Sequence, residues 1–189
     1  LKSVAIKLSK IAGDLILLTS GPRAGLAEIN LPAMQPGSSI MPGKVNPVIP
    51  ELVNLVAFRV MGNDYTVTLA AHSGQLQLNA YEPVEGVAMM ESQHLLFNTS
   101  RTFRNKCVDG ITLNEKVLAR YMETTVGIVT GLNPVVGYEK ATELAAEAYK
   151  SGKGIIEIIR EKKILTEAQI ADLLDPVKLS NLHRIKYEK

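Results

Sequence analysis

From Gly37 the chain reads Gly37-Ser38-Ser39-Ile40-Met41-Pro42-Gly43-Lys44-Val45-Asn46-Pro47, with Glu51 a few residues further on. Two hydroxyls, a lone cation, an amide and an acid are set among glycines and prolines. The stretch is too polar for a core and too particular for a spacer, so it reads as an active-site loop. Its glycines and lysine invite comparison with a phosphate-binding loop of the form GxxxxGK[ST], and the comparison fails. Five residues separate Gly37 from Gly43, and Val45 follows Lys44 where a hydroxyl residue is required. No strand of the βαβ kind precedes it. The plainer alternative is that the serines and glycine only cap a helix and that the lysine is solvated.

The elements that must hold this loop are helical. Leu1, Val4, Ala5, Leu8, Ile11, Ala12, Leu15 and Leu18 recur at three- and four-residue steps, which predicts a helix ending near Thr19, before Gly21-Pro22. No capping residue precedes it, so the chain is expected to be a fragment of a longer protein. Ile29 and Leu31 alternate with polar neighbours as in a short strand or hairpin. The loop occupies 35–46, and a long helix is expected from Pro47 to His72 with Asn46 as its cap. That helix is apolar on nearly every side, as if buried among other helices. A second long helix is expected from Pro83 to Lys106, its methionines filling core gaps. After Gly110 shorter amphipathic helices follow. Thr112 with Glu115 and Thr166 with Gln169 both fit capping boxes, Tyr138 to Lys150 is a helix closed by Ser151-Gly152, and Asp175-Pro176 marks a stop. The residues from Asn181 read as a basic tail. The expected fold is all-α: residues 1–110 belong to a helical-bundle domain carrying the loop, and 111–189 form a small C-terminal helical domain.

Composition agrees with helices and excludes several functions. Of 189 residues 46% are hydrophobic but only 5% aromatic, with no Trp, so the core is built from Leu, Ile, Val, Ala and Met. The formal net charge is +2, and no basic run is interleaved with aromatics, which argues against nucleic acid as a partner. The most apolar stretch, Val48 to Met61, is broken by Glu51, Asn54 and Arg59, short of the roughly 18 apolar residues of a spanning helix. Neither a membrane span nor a signal peptide is read. The single cysteine, Cys107, fits a reducing compartment and reads as a small buried hydrophobe; the expected location is the cytoplasm. His72, His94 and His183 have no partnered carboxylate at ligand spacing, so no metal site is expected.

The Gly37–Pro47 segment with Glu51 resembles the signature loop of the aspartase/fumarase superfamily. The resemblance continues through Gly21-Pro22-Arg23, Gly62-Asn63-Asp64, Gln77-Leu78-Asn79 and Asn133-Pro134 and covers most of the chain. It implies a homotetramer whose long helices form a central bundle, and an enzyme that splits a C–N or C–O bond beta to a carboxylate and releases fumarate. Such chemistry suits the residues. Removing a proton beside a carboxylate puts two negative charges on one group, which needs preplaced donors: glycine N–H groups, a helix start and the Lys44 ammonium qualify. Serine is a base only where positive potential stabilises its alkoxide, and Lys44 is the natural source. The resemblance implies Ser38 as the base that takes the Cβ proton, with Ser39 less favoured. It implies Lys44 and Asn46, with Ser39, as the groups that hold substrate carboxylates, and Glu51 as an acid behind them.

Within the family, Glu82 before Pro83 and Pro134 after Asn133 resemble the aspartases more than the fumarases, while His72 and Tyr81 depart from the aspartase pattern. The expected reaction is reversible loss of ammonia from L-aspartate, with fumarate hydration and a non-catalytic helical oligomerisation module as the alternatives. No cofactor is expected, and Mg²⁺ activation is not predicted from the residues. Because the family's site is assembled from three subunits and its other elements lie outside these residues, the chain alone is expected to be inactive.

Overall fold

The computed structural model of the chain describes residues 1–35, 37, 41 and 43–180. It is helical, as expected, with one two-stranded sheet. Residues fall into two units, Leu1–Asn114 and Glu115–Lys189.

In the first unit, α1 (Lys2–Leu18) and α3 (Glu82–Lys106) both pack on α2 (Val48–His72). At 25 residues, α2 is about 37 Å long at 1.5 Å per residue. Its buried residues Pro50, Val53, Val56, Val60 and Asn63 recur at three- and four-residue steps, and Ala70 lies two turns on. Val56, Ala57 and Val60 meet Ala5 and Leu96 in one cluster. Polar pairs set the helices against each other: Ser9 Oγ donates to Asn54 at 2.8 Å, and the Arg59 guanidinium grips the Glu91 carboxylate with contacts of 2.9 to 3.2 Å.

Several expectations change here. The α2 helix starts at Val48 after Pro47, with no side-chain cap, so Asn46 is not its cap; Pro50 sits buried in the first turn without delaying the helix. Nor is α2 covered all round, since Leu55, Phe58, Tyr65 and Leu69 are exposed. On α3 the methionines Met89 and Met90 are exposed too, and the core stripe is Ala88, Ser92, Leu96, Thr99 and Phe103. The short strand β1 (Ile29–Asn30) makes no local hairpin. It pairs antiparallel with β2 (Thr112–Leu113), Ile29 opposite Leu113. Thr112 therefore does not cap the next helix; its Oγ1 accepts from Asn30 Nδ2 at 3.4 Å, and Asn114 binds back through Nδ2 to the Ala27 carbonyl at 2.9 Å.

The second unit holds α4 (Glu115–Thr124), α5 (Val129–Val136), α6 (Tyr138–Ser151), α7 (Ile155–Glu161), α8 (Glu167–Leu173) and α9 (Pro176–Ser180). Its core is drawn from its own residues: Ile128, Leu132, Leu144, Ile155, Ile156, Ile158, Ile159 and Ile170 pack together. Gly152 closes α6 in the left-handed conformation, φ 71°, which a side chain would strain. The Thr166–Gln169 capping box forms in both directions. Asp175-Pro176 starts a helix as well as ending one, because Asp175 Oδ1 accepts from Val177 N at 2.8 Å. The expected tail from Asn181 lies outside the described residues.

The Glu91 carboxyl is held below the usual carboxylate range, first by the Asn63 amide that donates to it and then by Arg59. A carboxylate whose pKa is lowered on folding stabilises the fold at neutral pH, and that stabilisation is lost as pH falls through its folded pKa. Glu91→Gln is therefore expected to flatten the acid side of the stability–pH curve measured by urea unfolding, and an unchanged acid slope would contradict this role.

Candidate active site

The candidate loop lies within the first unit, between Leu31 and Ile49. Both residues pack on one small cluster made by Ala12 of α1, Val53 of α2, and Phe103 and Cys107 at the end of α3. The two ends of a polar segment with no core of its own are thus fixed by apolar contacts from three helices. Cys107 is 1% exposed, and burial pushes its thiol up from the ordinary value, so it serves as packing at neutral pH.

Between those anchors the backbone doubles back. Gly37 has φ +125°, and a Cβ there would lie 3.4 Å from both Gly43 N and the Lys44 carbonyl oxygen. Lys44 N donates to the Met41 carbonyl at 3.2 Å, which makes residues 41–44 a turn. A side chain at 37 would be strained by its backbone conformation.

Of the residues singled out from sequence, Ser38 and Ser39 lie outside the described residues. Lys44 is exposed just before α2 and forms no ion pair with any described residue. Asn46 is half-buried, its carbonyl accepting from Val48 N at 2.9 Å. Glu51 is exposed in the first turn of α2, where a negative charge interacts favourably with the helix dipole. Lys44, Asn46 and Glu51 therefore share the N-terminal end of α2, and together they offer a cation, an amide and an acid around the head of one long helix.

The histidines take no part in this arrangement. His72 is exposed in the last turn of α2, and His94 lies exposed on α3 with its Nε2 3.0 Å from Asn98 Nδ2; His183 is outside the described residues. Among the described residues no group of His, Cys, Asp and Glu is gathered as metal ligands, and no described helix is long and apolar enough to cross a membrane. Sequence reasoning missed the anchoring cluster. Its members are ordinary apolar residues far apart in the chain, and only the helical phase of Phe103 and Cys107 hinted that they face inward.

The Lyase family matches residues 1–62, and the family described as Fumarase C C-terminus matches residues 128–181. The chain is 56% identical to the aspartate ammonia-lyase of Helicobacter pylori over all 189 residues, which is 40% of that protein. Among solved structures, fumarate lyase:delta crystallin from Brucella melitensis bound to cobalt superposes with a TM-score of 0.85 at 50% identity, over 94% of this chain and 38% of that one. The class II fumarase of Schistosoma mansoni superposes with a TM-score of 0.84 at 36% identity, over 97% and 38% respectively. The chain thus spans about 40% of the length of the curated relatives it matches.

Because Phe103 is 5% exposed beneath both loop ends, Phe103→Ala is expected to destabilise the first unit by about 3–5 kcal/mol and to speed protease cleavage within 35–46 several-fold. Cleavage at an unchanged rate, followed by mass spectrometry, would show that the cluster does not hold the loop.

Proposed function

Because this chain belongs to the aspartase/fumarase superfamily, we propose that it is the C-terminal portion of an aspartate ammonia-lyase, which reversibly eliminates ammonia from L-aspartate to give fumarate. The observation that carries this reading is the 56% identity to a named aspartate ammonia-lyase along every residue of the chain, the candidate loop included.

In this reading the loop closes on a four-carbon dicarboxylate and excludes water. Ser38 takes the Cβ proton as its alkoxide form, with Ser39 as the less favoured base. The pair of electrons left on Cβ is delocalised into the neighbouring carboxylate; it then forms the Cα=Cβ double bond of fumarate as the C–N bond of the substrate's ammonium group breaks, its electron pair leaving with nitrogen as ammonia. Lys44 and Asn46, with Ser39, hold the carboxylates where the second negative charge develops, and the Lys44 ammonium lowers the cost of forming the alkoxide. Glu51 stands behind them as an acid. The supporting geometry is the exposed Lys44 at the head of α2, in no ion pair with any described residue, on the same helix end as Asn46 and Glu51.

The working protein in this proposal is a cytoplasmic homotetramer. The exposed apolar side chains of α2 and α3, such as Leu55, Phe58, Val87 and Phe97, supply surface for the helices of other copies. A second reading, hydration of fumarate as in class II fumarases, is favoured by the Fumarase C C-terminus match over residues 128–181 and the 36% identity to the Schistosoma mansoni enzyme.

The intact enzyme assayed side by side with L-aspartate and L-malate is expected to form fumarate from aspartate; turnover of malate alone would favour the fumarase reading. Ser38→Ala is expected to cut kcat by about 10²–10⁴-fold, the usual worth of a general base. An undiminished rate in Ser38→Ala, and also with Ser39 removed, would exclude a loop hydroxyl as the base.

A further inference from the structure

Three polar side chains are buried among the described residues, Asn63, Ser92 and Thr99, and two of them meet across the α2–α3 seam. Asn63 is 6% exposed and Ser92 is 2% exposed. Asn63 Nδ2 lies 3.3 Å from the Ala88 carbonyl, 2.8 Å from Glu91 Oε2 and 3.1 Å from Ser92 Oγ, while Ser92 Oγ itself donates to the Ala88 carbonyl at 2.7 Å. Three acceptors around one end of the amide identify that end as the nitrogen. Its two hydrogens must be shared among them, so the node is crowded with acceptors and sensitive to small shifts. On the outer edge Arg59 holds both oxygens of Glu91 and fixes the carboxylate that faces Asn63.

Elsewhere the buried stripes are mostly apolar: Val53, Val56, Val60 and Ala70 on α2, and Ala88, Leu96 and Phe103 with the hydroxyl of Thr99 on α3. Sliding one helix by a turn would exchange most of these contacts for similar ones. At the end of the hairpin Asn79 Nδ2 donates to the Ala70 carbonyl at 3.3 Å and to Glu85 Oε1 at 2.9 Å, but Asn79 belongs to the connection from Ser73 to Tyr81, whose length can take up a slip of about 5.4 Å at roughly 3.3 Å per extended residue. What the slip cannot keep is the partner set of Asn63. Moved by a turn, the amide faces apolar side chains while buried, a penalty on the order of ten- to hundredfold in population.

We propose that the Asn63–Ser92 node, braced by the Arg59–Glu91 pair, is a register key for the α2–α3 hairpin. It selects one alignment of the two helices. A single buried amide in an apolar helix seam acts this way in coiled coils, where it specifies register at a cost in stability. The consequence reaches the candidate loop. The height of α2 along α3 decides whether Ile49 meets Phe103 and Cys107, and with it where the loop ends are pinned. This inference does not depend on which reaction the protein catalyses.

The test replaces the node by apolar groups of similar size, Asn63→Leu with Ser92→Ala, leaving Arg59 and Glu91 in place. Hydrogen–deuterium exchange followed by mass spectrometry is expected to show two isotope envelopes for peptides from 48–72 and 82–106 where the unaltered chain shows one. A single envelope would overturn the proposal, since the register would then be set without the node. Asn63→Val with Ser92→Ala is made alongside; if only the leucine form loses helicity, overpacking is the cause and the valine form decides by the same envelopes, while lost helicity in both would overturn the proposal, because the node would then hold the helices together rather than choose their register.

Discussion

Both ends of the segment that carries the candidate chemistry are held by one small apolar cluster, and the rest of the first unit is arranged to make that cluster. Leu31 and Ile49 press on Ala12, Val53, Phe103 and Cys107, residues contributed by three helices and a loop entry that are distant in sequence. A loop of glycines, prolines, serines and one lysine buries little surface and pays the entropy of ordering alone. Its position is therefore set by what its ends touch. Burying apolar side chains there, each worth about 1.5–3 kcal/mol when fully covered, supplies the attachment that the loop's own residues lack.

Helix α2 carries that attachment to the candidate residues. It is the helix that meets both α1 and α3, and its first turn places Glu51 just beyond Lys44 and Asn46. One stripe of α2 is committed to its neighbours in the chain, while Leu55, Phe58, Tyr65 and Leu69 point outward. A single helix with two apolar sides is suited to the middle of a larger bundle. The second unit differs in design: an isoleucine-rich core closed among its own short helices, with ion pairs such as Arg160–Glu167 and Lys153–Glu161 confined to its surface, where each contributes little.

What could be read from the sequence was what is encoded locally. The extents of α2 and α3 follow from apolar spacing bounded by proline and glycine, and the Thr166–Gln169 box is a contact between residues three apart. The loop was legible because its residue types serve no packing purpose. Two of the failures share one cause, competition from a distant partner. Thr112 has the spacing of a capping box with Glu115, yet the pairing of Ile29 with Leu113 draws it into a strand. Met89 and Met90 look like core residues, but the phase of α3 is fixed by Ala88, Ser92 and Leu96 against α2. Neither long-range choice leaves a mark at the residue concerned. Asn46 fails for a local reason: the helix begins at Val48, so the cap position falls to Pro47, which has no side chain that can cap.

The proposed chemistry turns on Lys44, exposed just before α2 and in no ion pair with any described residue. The most direct measurement is calorimetric binding of succinate, an unreactive four-carbon dicarboxylate, to the intact enzyme and to its Lys44→Met variant. Removing a charged hydrogen-bond donor should weaken binding by about 1.5–3 kcal/mol, roughly ten- to hundredfold, with the melting temperature unchanged. Equal affinity in the two proteins would contradict the placement of Lys44 at the substrate.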